Sequence, residues 1–164
     1  MLPEKFTERM REMLGEEYPR FLKCYESEVA HALRINPLKG GGEALREKDM
    51  FSLTPVPWNE NGFYYGKEDR PGRHPYHAAG VYYIQEASAM VPVMYLDPKP
   101  GERVLDLCAA PGGKSTQIGA AMEQQGILIL NEIHPARAKI LTENVERMGI
   151  RNAIVTNETP GRLA

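Results

Sequence analysis

Apolar residues recur at helical spacing in two stretches near the start of the chain. Phe6, Met10, Met13 and Leu14 share one face with Gly15 as a stop, and Tyr18, Phe21, Leu22 and Tyr25 repeat the pattern. Both stripes read as core faces. The period then changes. HALRINPLKGGGEALREKD reads as a short strand, a glycine-rich turn and a polar helix, and LTPVPWNENGFYYG alternates around an Asn-Gly turn, which predicts a β-hairpin. GKEDRPGRHPYHAAG is polar and punctuated by proline and glycine, so it reads as a connector closing a small α+β domain over residues 1–75.

Residues 76–164 have a different rhythm. YYIQEASAMVPVMYL predicts an apolar helix disturbed at Pro92. From there ERVLDLC, KSTQIGAAMEQQG, ILILNE, PARAKILTENVERMG and AIVTN alternate strand, helix, strand, helix, strand. Pro135 suits a first helical turn, and Gly126 and Gly149 suit helix ends. Alternation at this spacing predicts an α/β fold with a parallel, doubly wound sheet. The expected architecture is the first half of a Rossmann-like sheet.

Composition narrows the function only by exclusion. The chain has 164 residues, is 42% hydrophobic and 26% charged, and carries a formal net charge of −2. No global basic field announces a nucleic-acid binder, so any such contact falls to local patches. The two cysteines, Cys24 and Cys108, form neither a disulfide framework nor a CxxC metal pair. The charged, amphipathic start has no apolar signal core, and no stretch is long enough to cross a bilayer. These features predict a reduced, cytoplasmic protein with no metal site and no membrane partner.

The chemistry concentrates in VLDLCAAPGGKST, where an apolar strand runs into a loop of small residues. GGKST looks like the end of a phosphate-gripping P-loop, which would support a nucleotide hydrolase binding Mg-ATP through Lys114. Counting back from Gly113, however, Cys108 occupies the first glycine position of G-x-x-x-x-G-K-[ST]. The dinucleotide pattern G-x-G-x-x-G fails too, with Cys108, Ala110 and Gly113 in its three glycine places. What remains is an arrangement suited to S-adenosylmethionine. Asp106 ends the strand, and the small residues Cys108, Ala110 and Gly112 let the backbone approach a ligand. The next helix would offer free N–H groups to the methionine carboxylate. Glu132, at the tip of the second strand, can accept from both ribose hydroxyls, or be simply a solvated strand-end acid.

VLDLCAAPGGKSTQI followed by ILILNEIHPARAKILTENVERMGIRNAIV resembles the Fmu/Sun (Nol/Nop/Sun) family of RNA cytosine-5 methyltransferases, closest to its bacterial branch acting on small-subunit ribosomal RNA. HALRINPLK resembles that family's R-x-N-x-L-K stretch and HAAGVYYIQEASAM its lead-in to the catalytic domain. The resemblance implies a methyltransferase using S-adenosylmethionine. Cys108, Ala109, Ala110, Pro111, Gly112, Gly113 and Lys114 would wrap the cofactor, Glu132 would hold its ribose, and Arg137 matches a family arginine. It implies RNA, ribosomal by branch, as partner. Arg34, Asn36 and Lys39 are the first candidate contacts, with Lys67, Arg70, Arg73, His74 and His77 around the connector. Trp58, Tyr64 and Tyr65 would offer stacking faces unless they are hairpin core.

Carbon-5 methylation of cytosine needs a thiolate to add at carbon 6 before the methyl arrives. The family carries that chemistry on a DAPC-type strand end and a second cysteine, and neither stretch is present in this chain. Cys108 lies in the cofactor loop and Cys24 in an amphipathic helix, so no catalytic residue is assigned. The family's adenine-contacting aspartate aligns with Thr159, and a shifted Glu158 is its candidate substitute. The expectation is a C-terminally truncated enzyme, inactive alone. Its VLDL strand would be left as an apolar edge for a partner chain or the missing half to cover. The alternative is a non-catalytic RNA- or cofactor-binding module that ends at Ala164.

Overall fold

The computed structural model describes residues 2–40, 42–47 and 50–163, and they form two compact units, Met1–Ala30 and His31–Ala164. In the first, helices α1 (Glu4–Leu14) and α2 (Tyr18–Lys23) flank a 3-10 turn. Gly15 ends α1 with φ of 50°, as the sequence predicts. Phe6, Tyr18, Phe21 and Tyr25 gather edge-on and tilted, with ring centroids 5.3–6.5 Å apart. The expectation of two core-facing stripes is only partly met. Tyr18 alone is buried, and Met13 is 65% exposed.

The second unit holds two sheets. Strands β1 (His31–Ile35), β2 (Thr54–Pro55), β3 (Gly62–Tyr65) and β4 (Tyr82–Ile84) form an antiparallel sheet in the order β2-β3-β1-β4. The predicted hairpin is present as β2 and β3, paired Thr54 to Tyr64 and Pro55 to Phe63. Short helices α3 (Gly42–Glu47) and α4 (Pro75–Ala78) lie in its connections. The stretch after residue 81 departs from the predicted single helix. Tyr82, Tyr83 and Ile84 pair antiparallel with Ile35, Arg34 and Leu33 instead, and helix begins only with a 3-10 turn at Ser88–Met90 that leads into α5 (Val91–Leu96), with Pro92 in its first turn. Proline costs no hydrogen bond there, so it starts the helix rather than kinking it. The antiparallel sheet therefore closes at Ile84, past the expected division at residue 75.

Strands β5 (Arg103–Asp106), β6 (Ile127–Asn131) and β7 (Ala153–Thr156) alternate with helices α6 (Gly113–Ala121) and α7 (Pro135–Met148), and α8 (Pro160–Leu163) follows. The sheet is parallel, in the order β5-β6-β7, the first part of the predicted Rossmann-like arrangement. One face is packed: Leu128 and Leu130 of β6 are fully buried with Ile118 and Met122 against Leu141, Val145 and Met148. The other face is open. Leu105, Ile129 and Ile154 stand in register across it, with Leu105 and Ile154 more than half exposed. A parallel sheet ordinarily buries both faces, and here β5 is also an unpaired edge among the described residues. Helix α6 stops at Ala121, short of the predicted Gly126, because Glu123 and Gln124 turn the chain through left-handed conformations.

The two sheets of this unit are pinned where Gly80 meets the end of α7. Gly80 has φ of +72°, and a Cβ there would lie 2.0 Å from the Arg147 carbonyl oxygen. Nearby, the buried Asn36 side chain donates to the Gly80 and Met148 carbonyls at 2.9 and 2.8 Å, and its oxygen accepts from Leu38 N at 3.1 Å. Arg147 adds donations to the His77 and Tyr82 carbonyls and lies over the Tyr83 ring.

Candidate cofactor site at the end of strand β5

The site is built where β5 gives way to α6. Asp106 closes the strand, and its two carboxylate oxygens are already directed. One accepts from Cys108 N at 3.2 Å and the other from Ser115 Oγ at 2.8 Å. The first bond sets the turn and the second ties that turn to the first coil of the helix. The loop continues through a cis Ala110–Pro111 bond to Gly112, whose φ of +112° is a left-handed value open to glycine. A Cβ at Gly112 would come within 3.2 Å of Leu141.

The loop borders a cleft of about 240 Å³ whose walls include Asp106, Cys108, Gly113 and Lys114 on one side and Tyr83 and Gln85 on the other. The first-turn N–H groups of α6 have no intrahelical acceptors, so this end of the cleft suits an anion. Tyr83 donates from its hydroxyl to Pro111 O, and burial pushes its pKa up. Sequence reasoning missed Tyr83, Gln85 and Ser115. Tyr83 lies on β4 and Gln85 directly follows it, in a stretch the sequence reads as helix.

Cys108, Ala109, Ala110, Pro111, Gly112, Gly113 and Lys114 thus lie together on one turn. Cys108, Pro111 and Lys114 are exposed, whereas Ala109, Ala110 and Gly112 are buried beneath it. Glu132 does not line the cleft. Its carboxylate is buried, accepting from His134 N at 3.0 Å and pairing with Arg137 at 3.2 Å. Arg137 also donates to the Ala110 carbonyl, so it bridges the tip of β6 to the loop. A carboxylate has about four lone-pair positions, so these two contacts leave Glu132 acceptor capacity. Glu158 is part-exposed and pairs with Arg162 at 3.2 Å, while Thr159 is exposed.

The hydroxyls of GGKST point inward, away from any phosphate. Ser115 and Thr116 are fully buried, the former bonded to Asp106 and the Ala109 carbonyl, the latter bonded to the Gly113 carbonyl and accepting from Arg34. No hydroxyl is left for a metal-bound triphosphate, and the P-loop reading ends here.

The structure corrects the RNA reading of Arg34 and Asn36. Arg34 is 2% exposed and Asn36 is fully buried, and both spend their donors on internal partners. Of the three, only Lys39 is partly exposed, lying over Gly149. Trp58 donates to the Ala87 carbonyl and keeps 38% of its surface open. Tyr64 packs on the Ala32–Met90 cluster, Tyr65 stacks on His31, and His74 caps α4 by accepting from Tyr76 N. His77 is half-buried near Arg147. Lys67, Arg70 and Arg73 are exposed.

Among the described residues, no helix is long and apolar enough to cross a membrane. The family defined by the N-terminal domain of 16S rRNA methyltransferase RsmF matches residues 2–87, and 16S rRNA methyltransferase RsmB/F matches residues 93–161. Ribosomal RNA small subunit methyltransferase F of Vibrio vulnificus is 39% identical over 95% of this chain, which spans 35% of that relative's length. The crystal structure of a methyltransferase homologue from Pyrococcus horikoshii is 31% identical and superposes with a TM-score of 0.85, over 99% of this chain and 55% of that one. NSun6 from Pyrococcus horikoshii, solved with SFG, shares the fold at a TM-score of 0.84 and 17% identity, over 98% of this chain and 66% of its own. The chain therefore belongs to the RsmF family of 16S rRNA methyltransferases.

Proposed function

We propose that this chain carries the S-adenosylmethionine-binding part of an RNA cytosine-5 methyltransferase acting on small-subunit ribosomal RNA, and that it does not complete methyl transfer alone. The observation that carries this reading is the turn after β5. Asp106 fixes a loop of small residues against the start of α6 and leaves a cleft beside it. Family membership supports the RNA substrate, and the chain spans about a third of the length of its curated relatives.

When bound, S-adenosylmethionine supplies an activated methyl group on a sulfonium. In the proposed arrangement the free N–H groups of α6 hold the carboxylate end, the Ala109–Gly112 backbone permits close approach, and Glu132 accepts from the ribose hydroxyls. Glu158 is the proposed substitute for the family's adenine-contacting aspartate. No thiol is placed for attack on a cytosine ring: Cys108 borders the cofactor cleft, and Cys24 lies in the separate helical unit. Lys39 with the exposed Lys67, Arg70 and Arg73 supplies the proposed phosphate contacts in place of Arg34 and Asn36.

Titration calorimetry of the 164-residue chain with S-adenosylmethionine tests the reading. Binding is expected for the wild type, weakened about tenfold or more in Glu132→Ala, because two hydrogen bonds to a charged acceptor are lost. Glu132→Gln, which keeps an acceptor for His134 N, separates the ribose role from local folding. Absence of binding by the wild type, or full affinity in both variants, refutes it.

A further inference from the structure

Arg34 is a buried cation. Its Nε donates to Gln85 Oε1 at 2.8 Å, and one terminal nitrogen donates to Thr116 Oγ1 at 2.9 Å and the Gly113 carbonyl at 3.2 Å. Among the described residues no carboxylate pairs with it. Burial pushes its pKa down to about 10, still far above neutral, so the group stays charged in the folded protein. Burying an unpaired charge is expensive, and an apolar side chain of similar length would fill the volume without that cost. The charge is also held rigidly. Gln85 donates onward to Ala89 O and Gln117 Oε1, and Gln117 in turn donates to Met90 O. Gln85 and Gly113, two of Arg34's three partners, are themselves walls of the cleft beside the loop.

We propose that Arg34 is a positioning residue for the cofactor: its guanidinium fixes the first turn of α6 and adds a permanent positive charge behind it, so that the cleft favours adenosyl ligands bearing an amino-acid carboxylate. The inference rests on the cofactor reading above and deepens it. The helix N-terminus alone offers roughly half an elementary charge. Arg34 contributes a full one, 3.2 Å from the carbonyl of the helix's first residue and shielded from water. R-x-N in HALRINPLK is then an internal device for the cofactor end of the molecule.

Two probes separate this role from simple support of the fold. S-adenosylhomocysteine carries the amino-acid carboxylate, and 5′-deoxy-5′-methylthioadenosine lacks it. Calorimetry on the whole chain is run with both ligands on wild type, Arg34→Met and Arg34→Lys, with circular dichroism confirming the fold of each. Arg34→Met is expected to weaken S-adenosylhomocysteine about tenfold while methylthioadenosine changes less than about twofold. Arg34→Lys, which keeps the charge and loses the fork, restores most of that loss. Equal weakening of both ligands, or of neither, overturns the proposal while leaving the cofactor reading intact. A wild type that binds neither ligand overturns both. If Arg34→Met does not fold, Arg34→Gln, which keeps donors and loses the charge, decides: a loss confined to the carboxylate-bearing ligand supports the proposal, and any other pattern rejects it.

Discussion

Asn36→Ala sets the sequence reading of HALRINPLK directly against its structure. If Asn36 touched RNA from the surface, truncating it would change stability by no more than about 0.5 kcal/mol and weaken RNA binding. The structure demands the opposite. Asn36 is fully buried and satisfies the Gly80 and Met148 carbonyls and the Leu38 N–H, at 2.8–3.1 Å. Truncation leaves those groups without their partner, and each orphaned buried group costs about 1–3 kcal/mol. Relaxation and water entry recover part of this, so a loss of about 3 kcal/mol is expected, a large share of the stability of a domain this size. For a chain of this length that corresponds to a fall in Tm of roughly 6–12 °C. Urea unfolding followed by circular dichroism gives the free energy, and a melt gives Tm. Asn36→Asp serves as a second probe, since a carboxylate keeps the acceptor for Leu38 N but faces two carbonyl oxygens without a donor; it should destabilise at least as much. A Tm within about 2 °C of wild type in both variants refutes the packing argument.

Gly80→Ala should cost about 2–4 kcal/mol, read as a shift in the urea midpoint, because the added Cβ would meet the Arg147 carbonyl oxygen at 2.0 Å on a backbone already in the left-handed region. An unshifted midpoint refutes it. His77 predicts a pH effect. Burial, and then the Arg147 charge, hold its pKa below the usual histidine value, so the folded state favours the neutral ring. Its contribution is fully present above the unfolded pKa near 6.5 and is lost as pH falls through the lower folded value. Tm should therefore drop further between pH 7.5 and pH 5.5 in the wild type than in His77→Gln; equal drops would rule this out.

The parts of the fold visible in the sequence are those set by local patterning. Leu128 and Leu130 alternate with Ile127 and Ile129 and mark β6 whatever surrounds it, and Gly15 and Gly149 end helices through their own backbone preference. The loop after β5 was legible because small residues there have few other uses. The residues misread are those whose meaning lies in distant partners. Tyr82–Ile84 looks helical until β1 is available to pair with it, since an apolar run of that length fits either period. Arg34 and Asn36 look like surface polar groups because arginine and asparagine usually are. Nothing within HALRINPLK announces that Thr116 and Met148 supply the partners that make their burial tolerable.

The proposed cofactor cleft does not belong to the parallel sheet alone. A division at residue 75 would assign the cofactor to the parallel sheet and leave the antiparallel sheet a separate RNA platform. Tyr83 of β4 and the adjoining Gln85 nevertheless form one wall of the cleft, and β4 is held by its pairing with β1. Arg34 sits opposite Tyr83 in that pairing and reaches the first turn of α6. Arg34 thus bonds both a cleft wall, Gln85, and the first residue of α6, Gly113. The cleft is consequently built by both sheets, and neither supplies its walls alone.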